Sequence, residues 1–264
     1  MTERLKTMLN PMSLEGKTIL VTGAAQGIGE AVARKIVDLG GDVVILDRNE
    51  DKLNAVAASL PEGRATAYAG SVTDPAFLAD LVDSAVAARG RIDGLVNNAG
   101  IIRPALIHKM NLEDWQSVID INLTGVHLVQ QAVGRHMLSR AEKGAQGTGV
   151  ILNVSSVAGH TGSFGQVNYS AAKAGVLGVT MSAAREWAVY GIRVNSIGFG
   201  IVETDMTTKI RSDEMRERSL RAVPMGRFAS PEEVSNPMCF LLSEASSYMT
   251  GQHLTVDGGV HISV

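Results

Sequence analysis

Short β-branched runs alternate with longer helical patterns from one end of this 264-residue chain to the other, and that order is its strongest constraint. Residues 18–22, 43–46, 65–69, 95–96, 150–154, 192–197 and 253–256 read as strands. Between them, 28–39, 50–60 and 75 to about 89 have helical spacing, as do stretches starting near Leu112, Tyr169 and Pro231. Pro75 suits a first helical turn, where its missing N–H removes no helical hydrogen bond. Strands joined through helices run parallel, and continuous apolar strands suit a sheet covered on both faces. The expected fold is α/β: a single doubly wound Rossmann-type domain with a mostly parallel seven-stranded sheet and helices on both faces. Residues 1–13 read as an N-terminal tail, 14–264 as the domain, and 204–228 as a charged insertion within it.

Composition narrows the partners. Hydrophobic residues make up 45% and charged residues 19%, a globular balance rather than a disordered one. A net charge of −3 argues against nucleic acid or an anionic membrane as the main partner, since both call for a basic excess. No stretch approaches the roughly 18 apolar residues of a membrane span. The first ten residues carry Glu3, Arg4 and Lys6 and do not resemble a signal peptide. The single cysteine, Cys239 in an apolar Met-Cys-Phe-Leu-Leu run, permits no internal disulfide and reads as a small buried residue. A cytoplasmic location is expected.

The chemistry begins directly after the first strand, at Thr22-Gly-Ala-Ala-Gln-Gly-Ile-Gly29. Glycines there let the chain turn tightly and bring backbone N–H groups to a pyrophosphate at the positive end of the next helix. The spacing is G-x-x-x-G-x-G rather than G-x-G-x-x-G, and by itself it also suits a structural turn. Asp47 ends the second strand, 24 residues beyond Gly23, where an acidic residue is expected to bind ribose hydroxyls; a solvated loop acid is the plainer alternative. Tyr169 and Lys173 lie four apart and so share a helical face. An ammonium beside a phenol lowers the phenol's pKa towards working pH, as a general acid/base requires. Ser155 and Ser156 follow a buried-looking strand, at the end of the sheet where doubly wound folds place their chemistry.

Six motifs in order now resemble the short-chain dehydrogenase/reductase family, most of all its β-ketoacyl-reductase-type branch, over about residues 14–259. They are the glycine-rich loop, Asn97-Asn-Ala-Gly100, Asn122 in Ile-Asn-Leu-Thr-Gly, Ser156, Tyr169-x-x-x-Lys173, and the closing run from Tyr248 to Gly259. The resemblance implies an oxidoreductase that moves hydride between a nicotinamide dinucleotide and a carbonyl or secondary alcohol. Tyr169 would be the acid/base and Ser156 would hold the substrate oxygen. Lys173 would bind the nicotinamide ribose, and Asn122 would hold a relay water. The implied cofactor set is Gly23, Gln26, Gly27, Ile28, Gly29, Asp47, Arg48, Ser71, Val72, Asn98, Ala99, Gly100, Tyr169, Lys173, Val202 and Thr204, with no metal.

The favoured cofactor is NAD(H), because Asp47 would crowd a 2′-phosphate; Arg48 leaves NADP(H) possible. The favoured substrate is a 3-oxoacyl or 3-hydroxyacyl thioester, with a small or cyclic secondary alcohol as the alternative and a non-catalytic dinucleotide-binding regulator as a distant one. A homotetramer is expected, as in relatives. Three positions depart from the family pattern. Ser71 stands where relatives carry an acid, Phe199-Gly200 replaces a Pro-Gly pair and would loosen the loop, and Tyr190 replaces a basic residue of some acyl-carrier-protein reductases. In the 207–221 stretch, the basic excess suits either a phosphate-bearing thioester or a solvated mixed-charge helix. His160 and Gln166 flank the catalytic loop, as pocket residues or as loop hydrogen-bonders.

Overall fold

A computed structural model describes residues 10–262, without the side chain of Glu214. The first nine residues of the expected tail and the last two of the expected domain lie outside the described residues. Met12, assigned to the tail, already packs on the core, and Leu14 is buried.

Seven strands form a single sheet: β1 (Thr18–Thr22), β2 (Asp42–Asp47), β3 (Ala65–Ala69), β4 (Gly94–Asn97), β5 (Gly149–Ser156), β6 (Ile192–Phe199) and β7 (His253–Val256). Their order is β3-β2-β1-β4-β5-β6-β7, and every neighbouring pair is parallel. The sequence of β1, TILVT, is buried at all five positions, as strands covered on both faces require. The principal helices are α1 (Gly27–Asp38), α2 (Glu50–Ser59), α3 (Pro75–Arg89), α4 (Leu112–Ile119), α5 (Gly125–Ser139), α6 (Val167–Trp187), α7 (Asp213–Arg221) and α8 (Pro231–Leu242).

Two core layers show the double winding. One face of the sheet carries Ile36 of α1 with Val234 and Met238 of α8. The other carries Leu78 and Leu81 of α3, Val129, Val133 and Met137 of α5, and Ala183 of α6. Helix starts follow local chemistry. The Asp74 carboxylate accepts from the N–H groups of Ala76 and Phe77, each at 3.1 Å, and Pro75 fills the first turn of α3. Ser230 and Glu233 form a reciprocal capping box on α8. Cys239 lies inside this layer, and burial pushes its thiol up to about 12, so it is no nucleophile at neutral pH.

The strand order reverses between β1 and β4, which opens a crevice beyond the carboxyl ends of these strands. Between α4 and α5 the chain makes a π turn over Asp120–Thr124 rather than a break. Among the described residues no helix is long and apolar enough to cross a membrane.

Candidate active site

The crevice is a cleft of about 610 Å³. Thirteen of the expected residues line it: Gly23, Gln26, Gly27, Ile28, Asp47, Asn98, Ala99, Gly100, Ser156, Tyr169, Lys173, Val202 and Thr204. A larger hollow of about 730 Å³ lies at the opposite ends of the strands, around Ile19, Val150 and Ile192. A doubly wound sheet places its ligands at the carboxyl ends, so the smaller cleft is the candidate.

The glycine-rich loop is shaped for a closely approaching ligand. Gly23 and Gly27 hold φ of +67° and +60°, where side chains are strained. A Cβ on Gly23 would stand 2.9 Å from Cα of Ala99, and one on Gly29 would overlap the carbonyl oxygen of Gly23. Gly29 therefore serves packing beneath the loop rather than the cleft wall. The 97–100 turn braces the same loop. Asn98 Nδ2 donates to the carbonyls of Thr22 and Gly23 at 3.1 and 3.2 Å, while Thr22 Oγ1 accepts from the N–H groups of Asn98 and Ala99.

Asp47 is held at the rim of this cradle. Its Oδ2 accepts from Ala25 N at 3.2 Å and its Oδ1 from Asn49 N at 3.0 Å. Arg48 does not line the cleft, and its side chain is exposed. Consecutive residues leaving a strand diverge to opposite sides, which separates it from Asp47. Ser71 and Val72 are absent from the lining as well. Ser71 Oγ bonds Thr73 Oγ1 at 2.8 Å and accepts from Thr73 N, capping the local turn, and Val72 is core.

At the other end of the cleft, Ser156 closes β5 and Tyr169 lies in the first turn of α6. Tyr169 is desolvated, which pushes its phenol pKa up, and a hydrogen bond with Ser156 pulls the other way. The lowered phenol pKa expected from the Tyr–Lys pair is thus reversed. Lys173 Nζ donates to the Val154 carbonyl at 2.8 Å and stays 5.7 Å from the ring centroid, so its charge does not offset the burial. Burial in turn pushes the Lys173 ammonium down to about 8. A phenol that keeps its proton next to a serine hydroxyl can donate it to an acceptor oxygen.

Asn122 is fully buried in the π turn and both ends of its amide are committed. Oδ1 accepts from Ile101 N at 2.8 Å and Nδ2 donates to Ile101 O at 2.9 Å. The side chain clamps the strand-end turn. Asn168 and Lys52 escaped the sequence reading, and the contact made by Ser155 was not foreseen in it. Asn168, fully buried, accepts from Tyr169 N and donates to the carbonyls of Arg103 and Asp114, fixing the first turn of α6. Ser155 Oγ donates to the Lys173 carbonyl at 2.8 Å. Lys52 reaches Gln26 at the mouth of the cradle. Nothing in the strand and helix periods marks these contacts, because each joins segments remote in sequence.

Phe199 pairs with Val256 and lines the cleft, and Gly200 N donates to the Val256 carbonyl at 3.3 Å. Gln166 bridges Ala105, and His160 packs against the rings of His253 and His261, so both act outside the cleft. In α7 Arg218 is exposed and Arg221 pairs with Glu217 at 2.6 Å, the solvated mixed-charge arrangement.

The cleft fits a nicotinamide dinucleotide: a side-chain-free cradle at a helix start, a carboxylate at the ribose position and a buried lysine at the far end. Known proteins agree. Residues 23–261 match a family model for short-chain dehydrogenases described as enoyl-(acyl carrier protein) reductase. The chain is 45% identical over 254 residues to the 3-oxoacyl-(acyl-carrier-protein) reductase FabG of Thermotoga maritima, covering 95% of this chain and 100% of that one. It is 39% identical over 252 residues to the Escherichia coli K12 protein of the same name, covering 95% and 100%. A solved short-chain type dehydrogenase/reductase from Mycobacterium marinum superposes with a TM-score of 0.90 at 34% identity, over 97% of this chain and 99% of that one.

Proposed function

The chain belongs to the short-chain dehydrogenase/reductase family, and on that footing we propose that it reduces 3-oxoacyl thioesters with NADH, using Tyr169 as the proton donor. It is an oxidoreductase acting on CH–OH and C=O groups. The observation that carries the substrate reading is the Ser156–Tyr169 pair: two hydroxyls side by side, with the phenol holding its proton. They suit an oxygen that gains negative charge as hydride arrives, such as the ketone oxygen of a 3-oxoacyl thioester. The relatives named as 3-oxoacyl reductases support the same choice over the enoyl description of the family model.

Bound in the cleft, the nicotinamide supplies hydride. Ser156 holds the carbonyl oxygen and Tyr169 gives it a proton. Lys173, anchored on the Val154 carbonyl, binds the nicotinamide ribose hydroxyls with its remaining N–H groups. The backbone N–H groups of Gly27 and Ile28, at the start of α1, hold the pyrophosphate, and Thr204, whose methyl would stand 3.2 Å from a Cβ on Gly27, closes over it. Asp47 accepts from the adenosine ribose hydroxyls and so favours NAD(H). Residues 14–264 act as one catalytic domain, with 204–228 covering the substrate. Consumption of NADH by a 3-oxoacyl thioester, followed by nicotinamide absorbance, tests this reading.

The same reading makes the enzyme a cytoplasmic homotetramer. Leu112 of α4 and Met181 of α6 are large apolar side chains exposed at 77% and 50%, on helices suited to pairing with a second copy. Light scattering at micromolar concentration is expected to give four times the chain mass of 27.9 kDa. A mass of one chain removes the tetramer.

A further inference from the structure

We propose that Lys52 is the residue through which this cleft takes a 2′-phosphate, so that the enzyme keeps a use for NADP(H) beside its preferred NAD(H). The inference rests on reading the cleft as a dinucleotide site. A 2′-phosphate would arrive at a wall that is already acidic. Asp47, Glu203 and Asp205 line the cleft, and among the described residues Lys173 is the only lysine or arginine that does. Lys173 lies at the nicotinamide end, bound to Val154. The adenosine end therefore needs a cation from just outside the wall.

Arg48, next to Asp47 in sequence, is exposed and outside the cleft. Lys52 is four residues beyond Arg48, in the first turn of α2, where its backbone N–H is fixed by the Asn49 side chain at 3.0 Å. Its Nζ donates to Gln26 Oε1 at 2.6 Å and lies 4.0 Å from Asp205 Oδ2. Gln26 lines the cleft and directly follows Ala25, whose N–H is bonded to the Asp47 carboxylate. The ammonium is thus carried by the residue beside the group expected to bind the ribose 2′ position. The exposed contact with Asp205 is weak enough to yield to a phosphate. An ammonium on a flexible stem suits that exchange, since it meets phosphate as a point charge with no fixed fork to align.

The test is binding to the purified wild-type protein and to Lys52→Met, measured by calorimetry for NADH, NADPH, 5′-ADP and 2′,5′-ADP. The two adenosine nucleotides isolate the 2′-phosphate from the nicotinamide half. Lys52→Met is expected to weaken NADPH and 2′,5′-ADP by about tenfold or more, the worth of a charge-assisted hydrogen bond, and to spare NADH and 5′-ADP. Lys52→Arg is expected to retain most of the 2′-phosphate affinity, and added salt is expected to erode it faster in the wild type than in the methionine variant. Equal weakening of all four ligands, or of none, overturns the proposal, as does an Arg48→Ala variant that carries the loss instead. If the wild type binds NADH but Lys52→Met changes nothing, this inference alone falls. If the wild type binds neither dinucleotide, the reading of the cleft falls first and takes the inference with it.

Discussion

Replacing Tyr169 by phenylalanine is expected to lower kcat by about 10²–10⁴-fold while the dissociation constant for NADH stays near that of the wild type. The substitution removes one oxygen and its proton. The ring stays in the first turn of α6, held there by Asn168, which bonds the residue 169 backbone N–H and two remote carbonyls. The glycine-rich cradle and Asp47 lie at the other end of the cleft and keep their own braces. The loss thus falls on the step that transfers a proton and spares the step that binds the dinucleotide. Steady-state rates by nicotinamide absorbance and binding by nicotinamide fluorescence separate the two. A phenylalanine variant that turns over near the normal rate removes Tyr169 from the chemistry; one that no longer binds NADH shows that the phenol served the fold.

Asp47→Ala is expected to move the ratio of kcat/KM for NADPH to that for NADH upward by about 10- to 100-fold. Two unit charges 4 Å apart repel by roughly 4 kcal/mol at an effective dielectric near 20, before screening and relaxation reduce it. The carboxylate has little freedom to retreat from a 2′-phosphate, since Ala25 N and Asn49 N fix both of its oxygens. Alanine removes that repulsion, and it also removes the acceptors for the ribose hydroxyls, so the rate with NADH falls as the rate with NADPH rises. The measurement is kcat/KM for both cofactors on one carbonyl substrate. A variant whose ratio equals that of the wild type places the specificity elsewhere than Asp47.

The sheet was legible because its short continuous apolar runs and the glycine turn after β1 are local signals. Positions such as Asp47 and Ser156 followed from where strands end. What escaped depends on tertiary contact. Sequence adjacency nominated Arg48 as the cation beside Asp47, yet the chain turns Arg48 to solvent and the first turn of α2 returns Lys52 to Gln26. Asn122 matched a motif, but its π turn adds a residue that no helical period announces, and only the fold shows its amide spent on Ile101. The direction of the Tyr169 shift also needed the structure. Spacing places Lys173 on the same face, whereas burial and the Val154 carbonyl decide what its charge does.

Carbonyl reduction is tested most directly by one comparison: the purified enzyme with NADH and either a 3-oxoacyl thioester or the 2-enoyl thioester of the same chain length, followed by nicotinamide absorbance and product analysis. Carbonyl reduction through Ser156 and Tyr169 predicts that NADH is consumed with the 3-oxoacyl compound, that the product is the 3-hydroxyacyl thioester, and that the enoyl compound is left unchanged. Reduction of the enoyl thioester with the 3-oxoacyl compound untouched would contradict it.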